Sequence, residues 1–241
     1  MKPLHLALAA VFACCFTATA TAQDAAAPKA VTPELHPGTE GKIENFNKIS
    51  KEGAAELVFL GDSITEGWAG AGREAWKKCY ETRKAANFGI SGDRTEHVLY
   101  RLEHGNFDGL KPKLIVMMIG TNNTGHRKDK PENTAAGVKA ILDKLQAKCP
   151  EAKILLLAIF PRGANSGDEL RKINDGTNAL IKKFADDKHI FFQDIGGKFL
   201  EPDGVLSKSI MPDLLHLSPK GYQIWADAIE QNVSRLLGEK E

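Results

Sequence analysis

The sequence predicts an α/β protein, a doubly wound three-layer sandwich built around a five-stranded parallel sheet. Short apolar runs alternate with longer amphipathic stretches from residue 57 to residue 237. Parallel strands are covered on both faces and are therefore apolar along their whole length, whereas the covering helices are apolar on one side. The chain has 241 residues, of which 42% are hydrophobic and 26% charged, as expected for one globular domain.

The order of these stretches along the chain gives the individual elements. The predicted strands cover residues 57–60, 86–90, 114–119, 154–160 and 190–192. The predicted helices cover residues 71–82, 95–103, 131–148, 168–186 and 219–237. The last helix has the clearest start, because Ser218 can accept hydrogen bonds from the free amides and Pro219 suits the first helical position. Strands that alternate with helices in this way form a doubly wound sheet.

The N-terminus has the layout of a secretory signal peptide. Lys2 precedes an apolar run over residues 4–16, and the small residues 20–22 end just before Gln23. This run is too short for a comfortable membrane span. We therefore expect a signal peptide over residues 1–22, no transmembrane segment, and an exported protein that is periplasmic or secreted.

Cys14 provides an alternative for the N-terminus, because residues 11–14 resemble the lipidation box of a lipoprotein. The bulky Phe12 counts against that alternative. Residues 23–50 are the predicted linker and lead-in, and their first part, up to about residue 41, is rich in Ala, Pro, Thr and Gly, which is typical of a tether. The main domain is predicted over residues 51–238.

The charge balance argues against a polyanionic partner. The formal net charge is +1, and removal of residues 1–22 lowers it to zero because Lys2 is the one charged side chain there. A neutral chain has no general attraction to nucleic acid or to anionic membranes. We therefore expect no nucleic-acid partner.

A nucleophile and its base are predicted at two separate places in the chain. Gly61-Asp62-Ser63 places a hydroxyl at the carboxyl end of the first strand, on a tight turn that glycine permits, and sites in such sheets lie outside these ends. Serine needs a base to become a nucleophile. Asp213 precedes His216 by three residues, so one helical turn would bring its carboxylate to the imidazole. Ser63, His216 and Asp213 are the predicted catalytic residues.

Two further motifs end at the same edge of the predicted sheet. Gly92 follows the second strand and Asn122 follows the third. The Asn122 side-chain amide, together with the backbone N–H groups of Gly92 and Ser63, is the predicted oxyanion hole. Trp68 and His126 follow two of these motifs and are candidate residues of the substrate pocket.

We expect neither a metal nor an organic cofactor. His97 and His104 lie two turns apart on one predicted helix and are the best candidate ligands. No Cys or carboxylate completes a set at ligand spacing, and hydrolysis by an activated serine needs no cofactor.

These motifs, in this order, resemble the SGNH (GDSL-type) hydrolase superfamily, whose Ser, Gly, Asn and His correspond to Ser63, Gly92, Asn122 and His216. A closer likeness is to the platelet-activating factor acetylhydrolase catalytic-subunit branch (IB alpha type). The superfamily usually has Asp after the oxyanion Asn, whereas this chain has Asn123, as that branch does. The segments that carry the likeness are 87–93, 97–102, 120–123, 155–162 and 215–217, within residues 51–237.

The resemblance implies a flavodoxin-like sheet with strand order 2-1-3-4-5. It also makes homodimerisation, which family relatives show, one option for this chain. In that strand order the helices that end near Cys79 and Cys149 lie on opposite faces of the sheet, beyond the reach of a disulfide. We therefore expect two free, mostly buried thiols.

The predicted function is hydrolysis of short-chain esters, acetyl esters first, with a small-molecule or glycan ester as substrate. Carbohydrate or small acyl esters are favoured because bacterial relatives of this branch include such esterases. One alternative is a phospholipid or lysophospholipid acyl hydrolase that uses the same site. The other is a non-catalytic envelope carbohydrate-binding protein, whose signature would be loss of a triad residue.

Overall fold

A computed structural model describes residues 27–239 of the chain. The strands are β1 (Leu57–Gly61), β2 (Ala85–Gly89), β3 (Leu114–Met118), β4 (Lys153–Leu157) and β5 (Ile190–Gln193). They form one sheet in the order β2-β1-β3-β4-β5, and each neighbouring pair is parallel. This arrangement confirms the predicted fold class and the predicted strand order.

Helices lie on both faces of this sheet. They are α1 (Glu40–Glu52), α2 (Ser63–Glu66), α3 (Arg73–Cys79), α4 (Thr95–Glu103), α5 (Thr121–Arg127), α6 (Pro131–Lys148), α7 (Glu169–Ile181) and α8 (Pro219–Leu237). The start of α8 is the predicted one, since Ser218 Oγ accepts a hydrogen bond from Gly221 N at 3.2 Å and Pro219 is the first helical residue. Helices α1, α2 and α5 are absent from the sequence-based prediction.

The sheet divides the core into two apolar clusters. Successive residues of a strand point to opposite faces, so Val58 and Leu60 pack with α4 and α6, whereas Leu57 and Phe59 pack with α3 and α8. The second cluster is rich in aromatic side chains. Within it the Tyr222 hydroxyl donates a hydrogen bond of 2.7 Å to the Ile64 carbonyl oxygen, which ties α8 to the short helix that carries Ser63.

From residue 27 onward the N-terminal segment packs against the domain, and residues 23–26 of the predicted tether lie outside the described residues. Ala30 is buried, and its carbonyl oxygen accepts a hydrogen bond of 2.8 Å from Thr95 Oγ1 at the start of α4. Ile43 and Phe46 of α1 are part of the first apolar cluster. An Ala/Pro-rich segment has no hydrophobic period, yet this one docks through a small buried side chain and through polar contacts of Ala30 and His36.

The predicted signal peptide and the lipidation alternative at Cys14 lie outside the described residues. Over residues 27–239, no helix combines the length and hydropathy of a membrane span. Cys79 and Cys149 are free thiols that pack against different faces of the sheet, and of the two Cys149 is buried. Their separation follows from the strand order, as predicted.

Candidate active site

Ser63 lies at the carboxyl end of β1 and is the first residue of α2. Asp62 caps this helix, because its Oδ1 accepts a hydrogen bond of 3.0 Å from Ile64 N. A Cβ atom at Gly61 would lie 2.2 Å from Thr65 Oγ1 and 2.4 Å from the Met118 carbonyl oxygen, so only glycine fits there. The expected tight turn is thus a helix start, and glycine is needed for space rather than for a positive φ.

Ser63, His216 and Asp213 form a continuous hydrogen-bonded chain. Ser63 Oγ lies 2.9 Å from His216 Nε2, and His216 Nδ1 lies 2.6 Å from Asp213 Oδ2. A carboxylate only accepts hydrogen bonds, so Nδ1 carries the imidazole proton and Nε2 presents its lone pair to the serine hydroxyl. In this arrangement the imidazole can take the serine proton.

The segment from Asp213 to His216 forms a non-helical turn, whereas the sequence predicts one turn of helix there. Asp213 Oδ1 accepts hydrogen bonds from Leu215 N at 3.1 Å and from His216 N at 2.7 Å. Leu214 has a φ of 61°, a left-handed conformation that is costly for a bulky residue. The Leu214 carbonyl oxygen accepts a hydrogen bond of 3.0 Å from Gly163 N, which holds the turn in place.

Asp213 and Asp62, the two carboxyl groups near His216 and Ser63, have opposite pKa shifts. Partial burial alone would raise the pKa of Asp213, but the hydrogen bonds from the His216 side chain and from the backbone outweigh it and lower that pKa. Asp62 is fully buried, and this burial raises its pKa to about 7 against the effect of the Ile64 hydrogen bond. Its Oδ2 atom has no hydrogen-bond partner among the described residues. Asp213 is thus the anionic partner of His216, while Asp62 supports the helix start.

Gly92 and Asn122 lie at the same sheet edge as Ser63. Gly92 has a φ of 81°, which glycine adopts without cost, and it follows β2. Asn122 is 6% exposed near the start of α5, and its Nδ2 donates a hydrogen bond of 2.9 Å to the Asp93 carbonyl oxygen. One Nδ2 hydrogen remains free. Within residues 27–239 the backbone N–H groups of Ser63 and Gly92 have no acceptor either, so three donors are available for an oxyanion.

A buried ion pair that the sequence does not predict holds the loop that contains Gly92. Asp93 and Arg101 are each 1% exposed, and Arg101 Nε donates a hydrogen bond of 3.0 Å to Asp93 Oδ2. Arg101 Nη2 also donates to the carbonyl oxygens of Gly61 at 3.1 Å and of Phe88 at 2.8 Å. One guanidinium therefore joins the ends of β1 and β2 to the loop. The sequence feature that could have indicated this ion pair is Arg101 itself, an arginine in an otherwise apolar stretch of α4.

The two candidate pocket residues have different environments. Trp68 is 1% exposed in the aromatic cluster, with its ring centroid 4.8 Å from that of Trp225, and its place in a substrate pocket stays a prediction. Its side chain is large and apolar, and helix α8 covers it. His126 is exposed on α5, and its Nδ1 lies 3.4 Å from Arg94 Nη1.

One group of potential metal ligands occurs in the described part of the chain. Ligand atoms of His36, Asp93 and His97 all lie within 4.8 Å of one another. Two arginines already contact members of this group, since Arg101 pairs with Asp93 and Arg94 Nη2 lies 3.0 Å from His97 Nε2. Two guanidinium groups would repel a cation, and we assign no metal to these residues.

Comparison with known proteins gives one matching family model. The model of the GDSL-like lipase/acylhydrolase family matches residues 59–224. The chain is 36% identical over 197 residues to platelet-activating factor acetylhydrolase IB subunit alpha1 from Homo sapiens, a match that covers 81% of this chain and 83% of that protein. It is 35% identical over 193 residues to subunit alpha2 from Rattus norvegicus, with 78% and 80% covered.

Solved structures with the same fold include two bacterial proteins. A GDSL-like lipase from Bacteroides thetaiotaomicron matches with a TM-score of 0.64 and 22% identity, over 80% of this chain and 98% of that chain. An acetylxylan esterase from Geobacillus stearothermophilus matches with a TM-score of 0.59 and 22% identity, over 79% and 97%. At this identity the likeness supports the fold.

Proposed function

As a member of the GDSL-like lipase/acylhydrolase family, this chain is a carboxylic ester hydrolase, and we propose that Ser63, His216 and Asp213 are its catalytic triad. The observation that carries the proposal is the pair of hydrogen bonds through His216, 2.9 Å to Ser63 Oγ and 2.6 Å to Asp213 Oδ2. Both distances are within the range needed for proton transfer and for orientation of the imidazole.

Acylation begins when Ser63 Oγ attacks the carbonyl carbon of the ester and His216 Nε2 takes the hydroxyl proton. The carbonyl oxygen becomes an oxyanion, and the imidazolium is stabilised by Asp213. Collapse of the tetrahedral intermediate breaks the bond to the leaving oxygen, which receives the proton from His216. The products of this half-reaction are the free alcohol and an acyl group on Ser63.

The oxyanion is stabilised by the N–H groups of Ser63 and Gly92 and by the free Asn122 Nδ2 hydrogen. These donors are fixed before the substrate arrives, because Asn122 is anchored to the Asp93 carbonyl and the Gly92 loop is anchored through Asp93 to Arg101. Pre-oriented donors need no rearrangement as charge develops, and loss of one such donor typically costs about 3 kcal/mol of transition-state stabilisation.

Deacylation repeats these steps with water as the nucleophile. His216 takes a proton from water, hydroxide adds to the acyl carbon, and the same donors hold the second oxyanion. Collapse returns the proton to Ser63 Oγ and releases the carboxylic acid. The free enzyme is restored without a cofactor.

We propose acetyl and other short acyl groups as the preferred acyl part of the substrate. Two relatives above 30% identity are named acetylhydrolases. The segments after β1 and β3 also enter α2 and α5 within two residues, so neither carries an insertion that would enclose a long acyl chain.

The test is hydrolysis of p-nitrophenyl acetate, butyrate and octanoate by the wild type, Ser63→Ala and Asp213→Asn. We expect acetate to be the fastest substrate, Ser63→Ala to lose turnover, and Asp213→Asn to lose about 10⁴-fold in kcat. Asp143→Asn is the matched control, since Asp143 is an exposed residue of α6 that pairs with Lys139. Equal turnover by wild type and Ser63→Ala would contradict the proposal and favour the binding-protein alternative.

A further inference from the structure

Arg162 lies between the two halves of the candidate active site. It follows β4, and its Nη1 donates hydrogen bonds to the Thr121 carbonyl oxygen at 2.9 Å and to Thr121 Oγ1 at 3.1 Å, next to Asn122. On its other side, Arg162 borders a cavity of about 240 Å³ that Asp213, Leu214 and Leu215 also line. Arg162 therefore lies between Thr121, the residue before Asn122, and the loop that carries His216.

Much of the hydrogen-bonding capacity of Arg162 is unused. Among residues 27–239 its Nε and Nη2 atoms have no hydrogen-bond acceptor, and no carboxylate oxygen lies within 4.0 Å of the side chain. Arg101 and Arg127 differ from Arg162, since Arg101 is paired with Asp93, and Arg127 with Asp129 and Glu96. A half-buried cation with free donors is costly unless a ligand completes it.

His126 lies close to Arg162 and Arg94: a Cβ atom at Gly125, the preceding residue, would lie 2.7 Å from Arg162 Nη1, and His126 Nδ1 lies 3.4 Å from Arg94 Nη1. The pKa of His126 is lowered by partial burial and then by Arg94, Arg162 and His36, whereas no carboxylate acts on it to a comparable extent. The nearest acidic groups on the Arg162 side are already engaged. Asp213 accepts three hydrogen bonds within its own turn, and Asp168 caps α7 by accepting a hydrogen bond of 3.0 Å from Arg171 N.

We infer that Arg162, with His126 beside it, binds an anionic group, a carboxylate or a phosphate, on the alcohol part of the substrate ester. The inference rests on the proposed function and defines the substrate class more closely. A short acyl group has no room for a second charged substituent, so the anionic group belongs to the leaving alcohol. A guanidinium offers parallel donors that suit either oxyacid.

The experiment compares acetyl esters that differ in the charge of the leaving group. The neutral substrate is 4-acetoxybenzamide, and the anionic substrates are 4-acetoxybenzoate and 4-acetoxyphenyl phosphate. The measured quantity is kcat/KM for each anionic ester divided by kcat/KM for the neutral ester. Because variants are compared by this ratio, intrinsic differences between leaving groups cancel. The anionic ester whose ratio falls further in Arg162→Gln identifies carboxylate or phosphate as the preferred group.

We expect Arg162→Gln to lower this ratio by roughly ten- to a hundredfold, as for loss of a charge-assisted hydrogen bond, because kcat/KM falls further for the anionic esters than for the neutral ester. Arg162→Lys keeps the charge and should retain part of the preference. Arg235→Gln removes an exposed arginine of α8 and should leave the ratio unchanged. Raising the salt concentration should lower the wild-type ratio, because salt screens the attraction.

An equal fall on neutral and anionic esters would overturn the inference, because it would mean that Arg162 acts only by holding Thr121. An unchanged ratio in Arg162→Gln would also overturn it. Failure of every wild-type ester would instead contradict the proposed function. If Arg162→Gln does not fold, benzoate and phenyl phosphate provide the test as inhibitors of wild-type hydrolysis of p-nitrophenyl acetate. Inhibition that weakens in His126→Asn supports the inference, and no inhibition refutes it.

Discussion

His36 Nδ1 donates a hydrogen bond of 2.9 Å to Asp93 Oδ1, and this contact joins the N-terminal segment to the loop that contains Gly92. The imidazole of His36 also stacks on that of His97, with ring centroids 4.5 Å apart. Asp93 thereby has a partner on each carboxylate oxygen, since Arg101 occupies the other. A segment outside the matched family region therefore supports the proposed oxyanion hole.

Replacement of His36 by alanine should weaken the loop without abolishing folding. We expect a loss of about 1–2 kcal/mol in the free energy of unfolding, because a hydrogen bond to a carboxylate is removed at a half-buried position. The proposed oxyanion donor Gly92 should become less well ordered, so kcat for p-nitrophenyl acetate should fall several-fold with little change in KM. Urea denaturation and steady-state kinetics measure the two effects. His104→Ala, at an exposed position of the same residue type, should change neither.

Replacement of Gly92 by alanine should be more damaging. A Cβ atom there would lie 2.9 Å from His36 Cε1, and the φ of 81° is unfavourable for alanine. We expect kcat to fall at least tenfold. The double variant Gly92→Ala/His36→Ala separates the two causes, since removal of the imidazole relieves the contact but not the backbone strain. Partial recovery of kcat in the double variant is the expected result, and a strictly multiplicative loss would show that the contact is unimportant.

Replacement of Arg101 by methionine should have the largest effect on stability. The change leaves the Asp93 carboxylate buried with His36 as its one side-chain donor among residues 27–239, and it removes donors from the Gly61 and Phe88 carbonyl oxygens. Breaking one side of a buried ion pair costs about 3–5 kcal/mol. Thermal unfolding should show a markedly lower Tm. Arg235→Met provides the control for an exposed arginine, and a Tm equal to that of the control would contradict the assigned role of Arg101.

The sequence predicts most of the fold because its helices carry strong boundary signals. The predicted bounds of 95–103, 131–148 and 219–237 agree with α4, α6 and α8. Proline at the first position marks α6 and α8, and a serine cap precedes α8. The start of α2 escapes prediction because Gly61, Asp62 and Ser63 are residue types that turns also favour. A four-residue helix is too short to show a hydrophobic period.

The support behind the site could not be predicted from local sequence. Acidic residues at a helix start usually cap or solvate it, yet Asp93 and Glu96 at the start of α4 are both buried, and some of their partners come from distant parts of the chain. Asp93 pairs with Arg101 and His36, and Glu96 with Arg94 and Arg127. A buried carboxylate and a solvated one look alike in a sequence, because the difference lies in the cations that tertiary folding brings to them.

Asp62→Asn should change the dependence of stability on pH. Burial raises the pKa of Asp62 from its ordinary value of 3.8 to about 7 in the folded protein. Between these two values the folded state holds a proton that the unfolded state lacks, so the contribution of Asp62 to stability falls as pH rises through this window. The amide side chain of the variant would carry no such titration. The stability of Asp62→Asn relative to wild type should therefore increase from pH 4 to pH 7, by at most about 1.4 kcal/mol per pH unit, and stay level at higher pH.

The comparison with wild type is necessary because His97 contributes to the pH dependence of stability with the opposite sign. Burial and the nearby Arg94 lower the pKa of His97 from 6.5 to about 4, so the unfolded state binds the additional proton and stability rises with pH between these values. The two slopes partly cancel in the wild-type curve, where neither group can be assigned alone. In the difference between Asp62→Asn and wild type the His97 contribution is common to both and drops out. Urea denaturation of both proteins from pH 4 to pH 8 measures this difference, and parallel curves across the whole range would mean that Asp62 is ionised in the folded protein at every pH tested.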